Sequence, residues 1–214
     1  MKNRLFKLSI LCCSILLVGC HRLIITTSIS PSGSGYLRTE TGFSAEEREN
    51  LEKENDNAED FCNSEEAPAN VVVTEEQRGD ETWCVTDTYF TDLDELRELY
   101  QQREGLTINR LEIIGGTLFY DIDIDTLSED SSFSTLSELT WTVMLPDTAM
   151  NHNADQATGS IVTWIPELKS GIVNMHAQSW VPENQGNTPM CSTAFMGVVA
   201  LLIYWKQKNR ISSI

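Results

Sequence analysis

The sequence predicts an α+β domain: a largely antiparallel β-sheet with two helices on one face, preceded by a signal peptide and followed by a C-terminal transmembrane helix. Three observations carry that expectation. Short β-rich runs are joined mostly by tight turns, two stretches combine helix-start chemistry with helical spacing, and each end of the chain sets basic residues beside an apolar run. At 214 residues the chain can form one sizeable domain or two small ones. Its hydrophobic fraction of 41% and charged fraction of 22% are ordinary for a folded domain, against wholesale disorder or a multi-spanning membrane protein.

The N-terminus opens with Lys2, Arg4 and Lys7, continues as an apolar run from Leu8 to Val18, and reaches Gly19-Cys20. A charged head and a short apolar core make residues 1–19 a secretory signal, too short for a comfortable span. Leu17-Val18-Gly19-Cys20 resembles the lipobox of bacterial lipoproteins, in which a diacylglycerol is attached to the thiol and the chain is cut just before it. That resemblance makes Cys20 the lipidation site, against the plainer reading of a signal peptide that happens to end in Cys.

Residues 20–180 form the expected extracytoplasmic domain. Arg22 to Ile29 is rich in Ile and Thr, as a strand requires, and Pro31 to Gly35 supplies a turn back into Tyr36 to Thr41. Ser44-Ala45-Glu46-Glu47 has capping-box spacing and opens a charged helix to about Ala58. Val71 to Val73 and Trp83 to Tyr89 suit a hairpin. Thr91 is placed to cap a second helix from Asp92 to Glu104, with Leu93, Leu96, Leu99 and Tyr100 along one stripe. Thr107 to Ile114 and Thr117 to Ile124 flank Gly115-Gly116, the clearest hairpin signal in the chain. Leu139 to Leu145 makes another strand, Asn151 to Asn153 reads as loop, and Ser160 to Ile165 with Gly171 to Gln178 makes a last hairpin. The count is roughly eight or nine strands.

Residues 181–189 read as a polar linker. Met190 to Trp205 is then an apolar run that would be roughly 24 Å long as a helix, short of a hydrocarbon core of about 30 Å. Asn187-Thr188-Pro189 before it, Tyr204-Trp205 within it and the basic tail 206–214 after it favour a span with a cytoplasmic tail. A buried C-terminal helix is the competing reading.

Charge follows the same partition. All 32 acidic residues lie between Glu40 and Glu183, and between His21 and Pro189 nine basic residues face them, a balance of −23 inside a chain total of −17. Such a body repels a phosphate backbone, so nucleic acid is excluded as a partner. Acidic polymers would need bridging cations or a local patch around Arg97, Arg103 and Arg110.

Of the six cysteines, Cys12 and Cys13 leave with the signal, Cys20 carries lipid and Cys191 falls in the span. Cys62 and Cys84 remain, and in an oxidising compartment they are expected to pair, a loop closure that contributes about 3 kcal/mol. No metal site is expected, because His152 and His176 have no ligand spacing to that pair.

Asp121, Asp123 and Asp125 alternate with Tyr120, Ile122 and Ile124, which predicts a wet strand face backed by a core face. The spacing fails the EF-hand pattern at Thr126 and Ser132. No catalytic residue is nominated and no cofactor is implied, since no nucleophile elbow or phosphate-cradling loop is present in the sequence. Paired carboxylates of a hydrolase are the weakest alternative. An apolar groove lined by Phe119, Tyr120, Trp141, Trp164 and Trp180 is weighed against the same rings filling an ordinary core.

Asp92-Leu93-Asp94-Glu95-Leu96 with Tyr100, Trp141 to Pro146, Asn153-Ala154, and Val162-Thr163-Trp164 before Gly171 together resemble the LppM-like family of bacterial envelope lipoproteins. The pattern departs from the family at Asp147, where a Gly is expected. The resemblance implies an extracytoplasmic α+β domain, a membrane anchor through Cys20 and a C-terminal helix, and contact with envelope lipids or glycolipids. It carries over no catalytic residue. The function expected is therefore a membrane-anchored, non-catalytic binding or envelope-organising module, with a carrier of lipid or glycolipid as the alternative.

Overall fold

In a computed structural model of the protein, the residues described are 22–45, 47, 48, 62 and 67–182. The elements are β1 Arg22–Ile29, β2 Gly35–Phe43, β3 Val71–Arg78, β4 Glu81–Phe90, α1 Leu93–Gln101, β5 Leu106–Ile114 and β6 Thr117–Asp125. They continue as β7 Glu138–Met144, β8 Ala149–His152, β9 Gln156–Thr158, β10 Ile161–Trp164 and β11 Ile172–Trp180. They build a seven-stranded sheet, β3-β4-β2-β1-β7-β10-β9, and a four-stranded sheet, β5-β6-β11-β8.

The expected fold class is therefore corrected. One sheet with two helices was anticipated; the described residues form two sheets and one helix of nine residues. The charged helix from Ser44 to about Ala58 falls mostly outside the described residues, although its capping box is made. Ser44 N–H donates to Glu47 Oε2 at 2.9 Å, and Glu47 N–H donates to Ser44 Oγ at 3.3 Å. No helix among the described residues is long and apolar enough to cross a membrane. The signal segment 1–19, Cys20 and the apolar run 190–205, where the transmembrane helix was expected, all lie outside the described residues.

Two pairings also differ from expectation. β1 pairs with β7 in parallel, Arg22 opposite Glu138 through Ser28 opposite Met144, inside an otherwise antiparallel sheet. β10 and β11 do not form a hairpin: β10 joins β7 and β9 while β11 joins β6 and β8, so the segment between them crosses from one sheet to the other. The Asn151–Asn153 stretch expected as loop begins within β8.

The β5–β6 hairpin forms as its sequence demands. Gly115 and Gly116 both take positive φ, 58° and 74°, the backbone that a two-residue turn needs and side chains resist. Helix α1 is capped by Asp92 rather than Thr91: Asp92 Oδ1 accepts the N–H groups of Asp94 and Glu95, both at 2.9 Å. Thr91, one residue before the cap, donates its own N–H to Glu95 Oε2 at 2.7 Å. Leu96 and Tyr100 are buried, so the predicted stripe does face the core.

One hydrophobic cluster joins both sheets and the helix, from Leu23 and Ile25 on β1 through Leu118 to Ile124 on β6 to Trp164 on β10. Strand directions sort the loops between two ends of this core. β1 and β7 start together at Arg22 and Glu138, and β10 finishes toward that end. At the opposite end, a Cβ on Gly33 in the β1–β2 turn would lie 3.9 Å from Ile113 Cδ1, beside the Gly115-Gly116 turn. There Val181 N–H donates to Gly116 O at 2.8 Å. The described chain thus enters the domain at one end and leaves it at the other.

Candidate functional site

The five aromatic side chains considered for a groove are divided by the structure. Tyr120, Trp141 and Trp164 are buried in the core. Phe119 and Trp180 lie on the other face of the four-stranded sheet, Phe119 under the Arg110 guanidinium at 3.5 Å and Trp180 56% exposed. Phe119 and Tyr120 are neighbours on one strand, so period-2 geometry turns them to opposite faces. The five do not line one groove.

The buried three belong to a polar-aromatic network. Trp141 Nε1 donates to Tyr120 Oη at 2.9 Å, Tyr120 and Tyr100 share a hydrogen bond at 3.0 Å, and Tyr100 Oη meets Thr27 Oγ1 at 2.6 Å. The Tyr120 ring stacks on Trp164 at 6.1 Å, and Trp164 Nε1 donates outward to Asn153 Oδ1 at 2.8 Å. This network ties β1 and β7 of the larger sheet to α1 and to β6 of the smaller one. Burial pushes the Tyr100 phenol up to about 12, and burial beside Tyr100 raises Tyr120 well above the ordinary phenol value. Thr27 and Tyr100 carried no signal of this role in the sequence, because only the fold brings them together.

The outward face of the four-stranded sheet holds a second, wetter constellation. Asn174 Nδ2 donates to Asp121 Oδ1 and to Asp123 Oδ1, each at 2.8 Å, and Asn109 Nδ2 donates to Asp121 Oδ1 at 3.2 Å. His176 Nδ1 sits 3.2 Å from Asn174 Oδ1. The alternation read from the sequence is present: Tyr120, Ile122 and Ile124 are buried while Asp121, Asp123 and Asp125 face out. Asp125 is held below the usual carboxylate range by the backbone N–H groups of Leu127 and Ser128. That is the opposite sense from a general acid, which needs a raised value. The amides Asn109 and Asn174 carried no signal in the sequence: Asn174 lies opposite Asp123 across β6 and β11, and Asn109 sits where the register of β5 with β6 shifts.

Cys62 and Cys84 are bridged, with Cα atoms 5.6 Å apart and a sequence separation of 22. Arg97, Arg103 and Arg110 are each engaged locally, by Asp94 and Leu111 O, by Thr39 Oγ1, and by Glu112 respectively. No group of His, Cys, Asp and Glu side chains suited to hold a metal is found among the described residues.

These features define a small two-sheet β domain: two sheets on one aromatic core, one short helix and one disulfide. Among solved structures it is similar to the folded domain of the LppM protein of Mycobacterium tuberculosis, determined by NMR. The match has 16% sequence identity, spans 75% of this chain and 90% of that one, and has a TM-score of 0.54. The relationship to LppM-like proteins is thus one of fold. No protein-family profile and no curated protein matches the sequence.

Proposed function

We propose that this protein is an envelope lipoprotein, tethered by an acylated Cys20, whose β domain stands outside the cytoplasm as a non-catalytic binding or envelope-organising module. The observation that carries the reading is the Cys62–Cys84 disulfide. Structural disulfides persist in oxidising compartments and are reduced in the cytosol, so the bridge suits a chain exported by the apparatus its N-terminus resembles. The LppM fold agrees with that setting.

The tether is tested by growing cells with radioactive palmitate. Label incorporated by the wild-type chain and lost in Cys20→Ala supports the reading, and equal label in both overturns it. Alkylation of whole cells without reductant provides a second check: Cys62 and Cys84 should resist modification until a reducing agent is added.

A further inference from the structure

Single apolar side chains on a protein surface are ordinary; neighbouring ones at one end of a domain point to something that covers them. Ile172 at 73% and Leu127 at 61% are the two most exposed large apolar residues among those described. They are not scattered. Each directly follows one member of a mutually bonded pair: Thr126 N–H donates to Gly171 O at 3.0 Å, Thr126 Oγ1 donates to the same oxygen at 2.9 Å, and Gly171 N–H donates to Thr126 Oγ1 at 3.2 Å. The backbone of Leu127 is further pinned by the Asp125 carboxylate at 2.9 Å. Ile165, 51% exposed, opens the segment that leads into Gly171.

These residues sit at the end of the domain where the chain enters. β6 finishes and β11 begins there, away from the Gly115-Gly116 turn, and Ile165 follows β10 where it runs back toward the level of Arg22. Cys20 is separated from Arg22 by His21 alone, so an acyl group on Cys20 is attached within about 7 Å of the start of β1 at fully extended reach. An anchor that short leaves this end no room to stand away from the lipid.

We infer that Leu127, Ile172 and Ile165 form a membrane-docking surface, entering the interfacial layer of the bilayer that holds the Cys20 acyl chains. The inference rests on the tether proposed above and goes beyond it. The tether fixes where the chain is attached, while the patch fixes which way the domain faces. Apolar insertion drives the contact, because Asp125, Glu129, Asp130 and Glu167 around the patch outnumber Lys169 and would be repelled by anionic head groups. The opposite end, with Ile114 and Trp180, then faces away from the membrane.

The test uses the full acylated chain in phosphatidylcholine vesicles containing a lipid with a photoactivatable group near its head. After illumination, peptides are mapped by mass spectrometry, and the acyl mass on Cys20 is read in the same sample. The expected result is several-fold more label on peptides holding Leu127 and Ile172 than on those holding Ile114 and Trp180, falling to the level of the latter in Leu127→Asp/Ile172→Asp. Equal or greater label at Ile114 and Trp180, or label unchanged in the variant, overturns the docking surface. Acylated Cys20 without label at Leu127 and Ile172 removes the surface and leaves the tether standing. Cys20 without acyl removes the tether, and the ratio between the two ends still decides the surface.

Discussion

The two faces of β6 use hydrogen bonds in opposite settings. On the inner face Tyr120 links Trp141 to Tyr100 in the dry core, and on the outer face Asp121 and Asp123 share the Asn174 amide in water. The bond lengths are alike, 2.8–3.0 Å. Their energetic weight is not, because a buried donor that loses its partner bears the full desolvation cost while an exposed one turns to solvent. The inner network specifies the fold, and the outer ladder leaves its residues free for surface roles.

The strongest challenge to that contrast is Trp141→Ala. It removes a fully buried indole from the shared core and should cost about 3–5 kcal/mol, read as a lowered urea midpoint. Opening the covalent link by Cys84→Ser should cost about 3 kcal/mol, and the wild type should show the same loss when reductant is added. Tyr120→Phe keeps the ring but leaves the Trp141 N–H without its acceptor, for a loss of about 1–3 kcal/mol.

Alkaline pH sharpens the comparison without any mutation. Tyr100 titrates at about 12 in the fold against 10.0 ordinarily. Below 10 both states hold the proton, whereas between those values the unfolded chain releases it and the folded chain does not. Stability is therefore complete below 10 and falls as pH rises toward 12, and Tyr100→Phe should make the fall less steep in a pH series of thermal unfolding. Asp125 acts in the opposite direction in acid: its lowered value gives a contribution present above the unfolded carboxylate range and lost as pH falls through the folded value. The smallest expected effect is Asn174→Ala on the outer ladder, within about 0.5 kcal/mol of wild type by urea unfolding. A larger loss would mean that the outer face is as structural as the inner one.

Local chemistry made much of this fold readable. Alternation over Tyr120 to Asp125, the Gly115-Gly116 turn and the leucine stripe of α1 all act between near neighbours, and each appears as expected. The cysteine pair was readable by elimination among six positions. The division into two sheets was not, because alternation states which residues face inward and says nothing of which strand lies alongside. For that reason Ser160 to Ile165 and Gly171 to Gln178 resembled a hairpin although they belong to different sheets. The groove expectation grouped Phe119 with Tyr120 against the alternation rule, a conflict visible on the strand itself. Helix α1 ends three residues before the expected Glu104 because the chain must turn at Gly105, whose φ is +83°.

The parallel alignment of β1 with β7 has a consequence for the order in which the protein is made. A ribosome releases Arg22 to Phe43 early, and those residues can close the β1–β2 hairpin at once. The second edge of β1 has no mate until Glu138 to Met144 emerge, after β3 through β6 have been synthesised. Through that interval Ile25, destined for the centre of the core, belongs to an open strand, and unpaired strand edges recruit other chains. The connectivity of the larger sheet therefore delays the closing of β1 until most of the domain has been made.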